Sequence, residues 1–294
     1  MSLPTNSFGI LVGVDGSAES DAAVRWATAE AIMRSAPITL MHVVPPVVVT
    51  WPVIPVAAGI TEWQEHHARL AIDQGRAVVD AAAGESLAPS VHTEVGYGTI
   101  AAKLIEASRE ASMTVVGSRS LGALGRTLLG SVSTNLLHHA RGPVAIIHGE
   151  DLRAPSRPSP VLLGIDGTSA SEAATGLAFD EAWRRRVDLV ALHAWTDTPV
   201  TTILGIDFQR FEQEGHDMLT ERLAPWQQDY PDVVVRHRLV VDQPARRLID
   251  ASMEAQLVVV GSPGRGGFAG MLLGSVGSRV AQAAKAPTIV VRQR

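Results

Sequence analysis

Two stretches of the sequence have the residue types and spacing to bind an anion, and they are near copies of each other. Residues 115–133 read VVGSRSLGALGRTLLGSVS and residues 259–277 read VVGSPGRGGFAGMLLGSVG. In the second copy, Gly261 and Gly264 are followed by nine residues and then by Gly274 and Ser275. Because glycine tolerates a left-handed backbone and lets a ligand come close, consecutive main-chain N–H groups in such a loop can surround a phosphate.

Ser275 is expected to be the N-cap of the helix after the loop, where first-turn N–H groups and the helix dipole attract phosphate. A plainer interpretation of one copy is that the glycines form a tight turn and the serine only caps a helix. The repetition favours the ligand site, because both copies occupy the same place in their half of the chain. Positive charge would come from a bound Mg²⁺ or from Arg119, Arg126 and Arg265, each of which also fits a solvated surface arginine.

Other nucleotide-binding motifs are not supported. The only lysines, Lys103 and Lys285, are predicted to lie in helices away from the glycines, so the sequence has no P-loop. Gly264, Gly266 and Ala269 imitate the dinucleotide fingerprint, but they follow the fourth strand of their half, and no acidic residue stands about 20 positions later. NAD and FAD are therefore disfavoured as ligands.

Two matched pairs of polar residues follow strands and have structural explanations as well as functional ones. Asp15 and Asp166 come after the first strand of each half, where an aspartate also shapes a turn or caps a helix. His42 and His193 match each other at the end of the second strand. We expect these histidines to form hydrogen bonds there rather than to do chemistry.

The segment EWQEHH, residues 62–67, places Glu62 and His66 on one face of a predicted helix. An acidic residue and a histidine four positions apart can bind a metal ion, but no third ligand stands nearby in the sequence. A solvated helix face is therefore favoured, and no metal site is predicted from protein side chains.

The elements that position these residues are repeated along with them. Residues 9–17 (GILVGVDGS) match residues 161–169 (VLLGIDGTS), and AAKLIEAS in the first half matches ARRLIDAS in the second. Short β-branched runs alternate with longer helical patterns, which predicts in each half a doubly wound α/β fold with a parallel sheet covered on both faces. Ligands bind such sheets beyond the carboxyl ends of the strands, where the strand order reverses, and both glycine loops are expected there.

The predicted domains are residues 1–149 and 161–294, joined by a charged, proline-rich linker at residues 150–160. In the first half, the predicted strands are Ile10–Val14, Ile38–Val44, Val91–Val95, Thr114–Val116 and Val144–His148. The predicted helices are Ala18–Arg34, Thr61–Ala83, Thr99–Ala111 and Ser131–Ala140.

Composition excludes several classes of protein. The 294 residues carry a net charge of −5, so no overall positive field gathers nucleic acid or an anionic membrane. The absence of cysteine excludes disulfides, thiolate nucleophiles and cysteine-based metal sites. The N-terminus has no export signal, and four prolines within residues 43–60 turn that apolar segment into a predicted loop instead of a membrane helix. A cytoplasmic location is therefore predicted, with neither nucleic acid nor membrane as a partner.

The spacing Gly-x-x-Gly, nine residues, Gly-Ser, in a half that opens with a strand ending Gly-(Val/Ile)-Asp-Gly-(Ser/Thr), resembles the ATP-binding branch of the universal stress protein family. The resemblance covers nearly the whole chain twice and is strongest to tandem-domain mycobacterial members. It implies two Rossmann-like domains of the adenine nucleotide alpha hydrolase type, each with an ATP site.

The resemblance also implies roles for individual residues. Asp15 and Asp166 would meet the adenine end, with Gly13 and Gly164 allowing close approach. The main chain near Val43 would contact the base, and Asp197 would reach the base or the ribose. The residues implied to wrap the ribose and phosphates are Gly117, Ser118, Arg119, Ser120, Leu121, Gly122, Ala123, Arg126, Gly130, Ser131, Val132, Gly261, Ser262, Pro263, Gly264, Arg265, Gly266, Gly267, Gly274, Ser275 and Val276.

One position departs from the family pattern. Ser120 stands where the pattern and Gly264 have glycine. If this position needs a positive φ, serine costs about 1 kcal/mol, so the first site is expected to be weaker or differently shaped and the second site to be the stronger one.

Three functional hypotheses remain at this point. The first is a regulatory protein whose conformation or partner surface depends on bound ATP. The second is a slow ATPase or nucleotide transferase using the same pockets, although the glycine loops contain no acid or histidine, no nucleophile elbow is present and no catalytic residue is predicted. The third is a fold kept only for protein interaction. The resemblance implies a homodimer, an unknown regulatory partner, pairing of sheet edges, and a role in dormancy or low oxygen.

Overall fold

The described part of the chain forms two compact units, which lie within residues 3–152 and 153–294. The computed structural model describes residues 7–46, 57–118, 129–148, 159–168, 171–195, 208–262 and 274–292, with side chains from Glu62 onward in one long helix and from Glu212 onward in the other. The domain limits given above stay a prediction. The site candidates that lie outside the described residues are Arg119, Ser120, Leu121, Gly122, Ala123, Arg126, Asp197, Pro263, Gly264, Arg265, Gly266 and Gly267.

The first half alternates strands and helices, as its periodicity predicts. Its elements are β1 (Gly9–Gly13), α1 (Ala18–Arg34), β2 (Ile38–Val44), α2 (Ala57–Ala83), β3 (Val91–Tyr97), α3 (Ile100–Ala107), β4 (Ala111–Gly117), α4 (Ser131–His139) and β5 (Val144–Ile147).

The second half repeats this order. Its elements are β6 (Val161–Gly164), α5 (Glu172–Arg185), β7 (Leu189–Trp195), α6 (Phe208–Asp229), β8 (Val235–Val241), α7 (Pro244–Ala251), β9 (Leu257–Gly261), α8 (Ser275–Ala283) and β10 (Thr288–Val291), with a 3₁₀ turn at Ser252–Glu254.

Each half builds a parallel sheet, so the predicted α/β fold class is confirmed. The strand order is β3-β2-β1-β4-β5 in the first half and β8-β7-β6-β9-β10 in the second. Val12 of β1 pairs with Leu40 of β2 on one side and with Val115 of β4 on the other. The order reverses between β1 and β4, which places the ends of β1, β2 and β4 around one crevice.

The sheets are buried because their central strands are apolar on both faces. Ile10, Leu11 and Val12 of β1 have no exposed surface, and neither do the residues from Leu257 to Val259 of β9. The covering helices α1 and α5 carry a repeated buried ion pair between a glutamate and an arginine one turn later. Nε of Arg34 lies 2.6 Å from Oε1 of Glu30, and Nε of Arg185 lies 3.0 Å from Oε2 of Glu181.

Two predicted helix limits are wrong by four residues each, and the predicted strands Thr114–Val116 and Val91–Val95 are shorter than β4 and β3. Helix α3 ends at Ala107 instead of Ala111, because a tight turn follows in which Arg109 N–H donates to the Glu106 carbonyl, and Ala111 already pairs with Gly9 in the sheet. Helix α2 begins at Ala57, so residues 57–60, which were assigned to the apolar loop, are helical.

The prediction that Lys285 lies in a helix is also wrong. Helix α8 ends at Ala283, and the main-chain N–H of Lys285 donates to Oγ of Ser252 over 2.8 Å. Pro287 two residues later disfavours continuation of the helix. Among the described helices, none is long and apolar enough to cross a membrane.

Candidate functional site

A cavity of about 420 Å³ opens at the carboxyl ends of β1, β2 and β4 in the first half, where the strand order reverses. This volume falls in the usual range for small-molecule sites. Of the predicted residues, the cavity brings together Gly13, Asp15, Val43, Gly117, Gly130, Ser131 and Val132. Its other lining residues are Val14, Ser17, Glu19, Ser20, Met41, His42, Val44, Pro45, Trp63, Gln64, His67, Ile100, Leu104, Val116 and Ser133.

Two glycines form part of the cavity lining at the strand ends. A Cβ on Gly13 would lie 3.2 Å from Cγ1 of Val116, which is a tight side-chain contact. A Cβ on Gly117 would lie 2.6 Å from the carbonyl oxygen of Glu19, which is a backbone clash. Gly117 therefore lets β4 approach the first turn of α1, and that approach helps to define the crevice.

The turn after β1 is held by Asp15. Its Oδ1 accepts hydrogen bonds from the main-chain N–H of Ser17 at 3.0 Å and from the Ser17 hydroxyl at 2.6 Å. Gly16 between them has φ +79°, a value that favours glycine. In the second half, Asp166 accepts the same two bonds from Thr168, at 3.0 and 2.7 Å. Turn formation is thus a demonstrated role of both aspartates, and Asp15 also lines the cavity.

The two matched histidines bond to the main chain at the strand ends, as expected. Nδ1 of His42 lies 2.8 Å from the Val14 carbonyl oxygen, and Nδ1 of His193 lies 2.8 Å from that of Ile165. Because a carbonyl oxygen only accepts, Nδ1 carries the proton in both rings. Each histidine ties the end of the second strand of its half to the turn after the first strand.

The helices that follow the glycine loops begin with glycine instead of serine, so the prediction that Ser275 is the N-cap is wrong. Gly274 is the N-cap of α8, with φ −69° and ψ 148°, and Ser275 is already in the helix. Gly130 is the N-cap of α4, with φ −61° and ψ 157°. Neither cap has a side chain to accept a bond from the first-turn N–H groups, whereas Ser17 of α1 accepts one from Ser20 N–H at 3.2 Å.

Helix α2 supplies a wall of the cavity that the sequence interpretation missed. Residues 62–67 were interpreted as a solvated face, yet Trp63, Gln64 and His67 line the cavity, while Glu62 and His66 are exposed. Within the described residues, no group of three or more His, Asp or Glu side chains is placed to hold a metal ion. The sequence signal that could have identified this wall is Trp63 followed one helical turn later by His67.

Two predicted site residues lie apart from the cavity lining. The side chain of Ser118 is buried, and its Oγ lies 2.8 Å from Nδ1 of His148, the residue after β5. Ser262 is buried in the second half, where its N–H donates to the carbonyl of Val291 over 2.8 Å. These contacts join neighbouring strand ends.

The ionisable side chains that line the described cavity are two carboxylates and two histidines, His42 and His67. Asp15 and Glu19 line it, and no lysine or arginine does so among the described lining residues. A phosphate group there would need a positive charge from elsewhere, in addition to the main-chain N–H groups.

In the second half, the described candidates occupy equivalent positions. Gly164 ends β6, where a Cβ would lie 2.9 Å from Cδ1 of Leu248, and Gly261 ends β9. The Gly274 N–H donates to the Ser262 carbonyl, which joins the two ends of the second glycine loop. Ser275 and Val276 line a smaller cavity of about 180 Å³, together with Gln243, Pro244, Ala245, Arg246 and Arg279.

Comparison with known proteins gives a consistent result. The sequence model of the universal stress protein family matches residues 9–148 and again residues 159–292. A universal stress protein of Mycolicibacterium smegmatis is 57% identical over 287 residues, which cover 98% of this chain and 98% of the relative. A universal stress protein of Mycobacterium tuberculosis is 49% identical over 294 residues, covering 100% of this chain and 99% of the relative.

A solved structure supports the same fold. The crystal structure of a universal stress protein from Archaeoglobus fulgidus has a TM-score of 0.70 and 20% sequence identity, with coverage of 97% of this chain and 98% of that one. At this identity the likeness concerns the fold alone.

Proposed function

Because the chain belongs to the universal stress protein family, we propose that it is a regulatory protein that binds ATP, with one site in each half. The observation that carries the proposal is the first-half cavity, which combines close strand ends with the glycine-capped start of α4. The regulatory output would be a nucleotide-dependent conformation or partner surface. The cytoplasmic location, the homodimer, the regulatory partner and a role in dormancy or hypoxia stay predictions.

The start of α4 supports a phosphate position. Ser131, Val132 and Ser133 line the cavity in the first turn of this helix, and Gly130 provides no capping side chain for their N–H groups. The helix dipole adds attraction for an anion at the same place. The glycine-capped start of α8 in the second half supports an equivalent position there.

The strand ends support a position for the base and ribose. Met41, His42 and Val43 of β2 line the cavity, together with Gly13 and Asp15 at the end of β1. Asp15 is proposed to accept a hydrogen bond from the base or ribose, in addition to the bonds that its Oδ1 accepts from Ser17.

Charge balance supports Mg²⁺ as a companion of the nucleotide. The carboxylate of Glu19 is an oxygen donor of the kind that Mg²⁺ prefers, and Mg²⁺ usually binds through one or two carboxylates together with phosphates. When bound, the ion would neutralise phosphate charge. Arg119 and Arg126 are the proposed protein cations for the same role.

Gly130→Asp tests the phosphate position without a loss of stability. An aspartate is among the best N-cap residues and φ −61° suits it, so we expect the melting temperature to stay within about 2 °C of wild type or to rise. Its carboxylate would accept the first-turn N–H groups and repel phosphate, so calorimetry should show ATP affinity at the first site at least about 10-fold weaker.

Gly130→Asn is the matched control, because it caps the helix with a neutral side chain of the same shape. We expect a smaller loss of affinity than with aspartate, and the difference measures the charge repulsion. Wild-type ATP affinity in Gly130→Asp would contradict the proposed phosphate position.

The alternative activity, slow ATP hydrolysis, can be tested with the same protein. We expect ADP to form at less than about one turnover per minute when purified protein is incubated with ATP and Mg²⁺. A rate well above this value would favour the enzyme over the binding protein.

A further inference from the structure

The wall of the first-half cavity that α2 contributes is aromatic and open to solvent. Trp63 lines this cavity, yet 63% of its surface is exposed. Single exposed apolar residues are common, but a tryptophan at a cavity combines a large flat apolar surface with a place where a ligand can cover it. Trp63 is not among the site residues that the glycine loops and the strand ends predict.

Contacts at the start of α2 position the indole. The ring of His67, one helical turn later, has its centroid 5.2 Å from that of Trp63, with a tilt of 42° between the planes. Nε2 of Gln64 donates to the carbonyl of Pro45 over 2.9 Å, which ties this turn of α2 to the chain just after β2. The indole therefore stands beside the end of β2.

We infer that Trp63 stacks on the nucleobase of the nucleotide in the first half, an inference that rests on the proposed function. The face of an indole carries negative quadrupole charge and disfavours phosphate oxygens, but it stacks well on a flat base. The first-turn N–H groups of α4 suit the phosphates instead. The cavity thus separates into a phosphate end at α4 and a base end between β2 and Trp63.

Stacking tolerates different bases, because every base presents a π-face. Trp63 therefore contributes affinity for any ligand that carries the base, and it contributes nothing to binding of the phosphate chain alone. This division gives a test with three probes: ATP, adenosine and inorganic triphosphate.

Trp63→Ala should weaken ATP and adenosine at the first site by a similar factor, about 5- to 150-fold, and should leave triphosphate unchanged. Gly130→Asp should give the reverse pattern, with ATP and triphosphate weakened and adenosine unchanged. Leu70→Ala is the matched control, because Leu70 is a 52% exposed apolar residue of the same helix outside the cavity lining. It should bind all three probes as wild type does.

Trp63→Phe gives an optical measurement that does not depend on the alanine variant folding. Phenylalanine keeps a stacking ring, so most of the ATP affinity should remain, while the part of the nucleotide-induced tryptophan quenching that comes from Trp63 should disappear. The inference is overturned if Trp63→Phe quenches as wild type does, or if Trp63→Ala binds adenosine unchanged. If the wild type binds none of the probes, the proposed ATP-binding function is wrong as well. If the wild type binds ATP but the Trp63 variants behave as wild type, only the stacking inference is wrong.

Discussion

At the residue scale, the glycines at the candidate site have distinct reasons to be glycine. Gly16 and Gly167 have φ of +79° and +76° in the turns after β1 and β6. Gly117 is required by packing, because the backbone of α1 lies against it. Gly130 and Gly274 have ordinary extended backbones, so only the lack of a capping side chain distinguishes them. Gly130 and Gly274 are therefore the glycines whose presence a phosphate ligand would best explain.

Gly117→Ala tests the packing role. The new Cβ would lie 2.6 Å from the Glu19 carbonyl oxygen, so β4 or α1 must shift, and we expect the free energy of unfolding in urea to fall by about 1–3 kcal/mol. Gly13→Ala is the comparison, since its Cβ meets side chains of Val116 and Leu104 at 3.2 and 3.3 Å instead of main chain and should cost less. Equal losses in both variants would contradict this explanation.

The sequence predicted part of the site at this scale. Asp15 and Gly117 could be placed because the ends of the first and fourth strands converge in a sheet of this topology, and the family resemblance added Gly13 and Val43. Trp63 could not, because its contact with the cavity depends on how α2 lies across the sheet, and periodicity gives only the face of a helix. Ser118 was included because the resemblance implies that residues 117–123 wrap the ribose and phosphates, but its hydroxyl lies against Nδ1 of His148.

At the element scale, the limits of an element were predictable where residues next to it in the sequence determine them. Helix α1 was predicted with both limits correct, since Ser17 caps it and Ser35 in the left-handed region ends it. Helix α3 was predicted too long, because the sheet pairing of Ala111 competes with helix propensity. The capping of α8 was misassigned by one residue, because serine is a common N-cap and glycine also serves there.

The long helix α6 and the edge strand β8 of the second half meet at a pair of histidines. The rings of His216 and His237 stack with centroids 5.8 Å apart. Burial, and secondly the nearby His216, hold the pKa of His237 below its ordinary value near 6.5. The neutral ring is therefore favoured in the folded state.

This shift predicts a pH dependence of stability. In the unfolded chain His237 takes up a proton near pH 6.5, while the folded state resists protonation until a lower pH, so stability is retained above pH 6.5 and falls as the pH drops toward the folded pKa. His237→Asn removes the titrating group. We expect its unfolding midpoint in urea to decline less between pH 7.5 and pH 5.5 than that of wild type, and parallel declines would contradict the assignment.

At the scale of the whole molecule, the duplication is the main feature. The two halves share strand order, the aspartate turns, the strand-end histidines, the buried Glu–Arg pairs and the glycine caps of α4 and α8. The sequence predicted this repetition because both copies keep the same order of motifs. It could not predict the contacts that differ between the halves. In α4 the Ser133 hydroxyl donates to the Gly117 carbonyl, whereas the matching residue of α8 is Gly277, which has no side chain.

The most direct test of two nucleotide sites is to count the nucleotide that denatured protein releases. Protein purified from cells, or saturated with ATP and desalted, is denatured, and the released adenine nucleotide per chain is measured by mass spectrometry. We predict two nucleotides per saturated wild-type chain, one in Gly130→Asp because the first-half site is lost, and none in Gly130→Asp/Gly274→Asp at unchanged melting temperature. A wild-type chain that releases no nucleotide after saturation, or a double variant that releases the wild-type amount, would contradict the account.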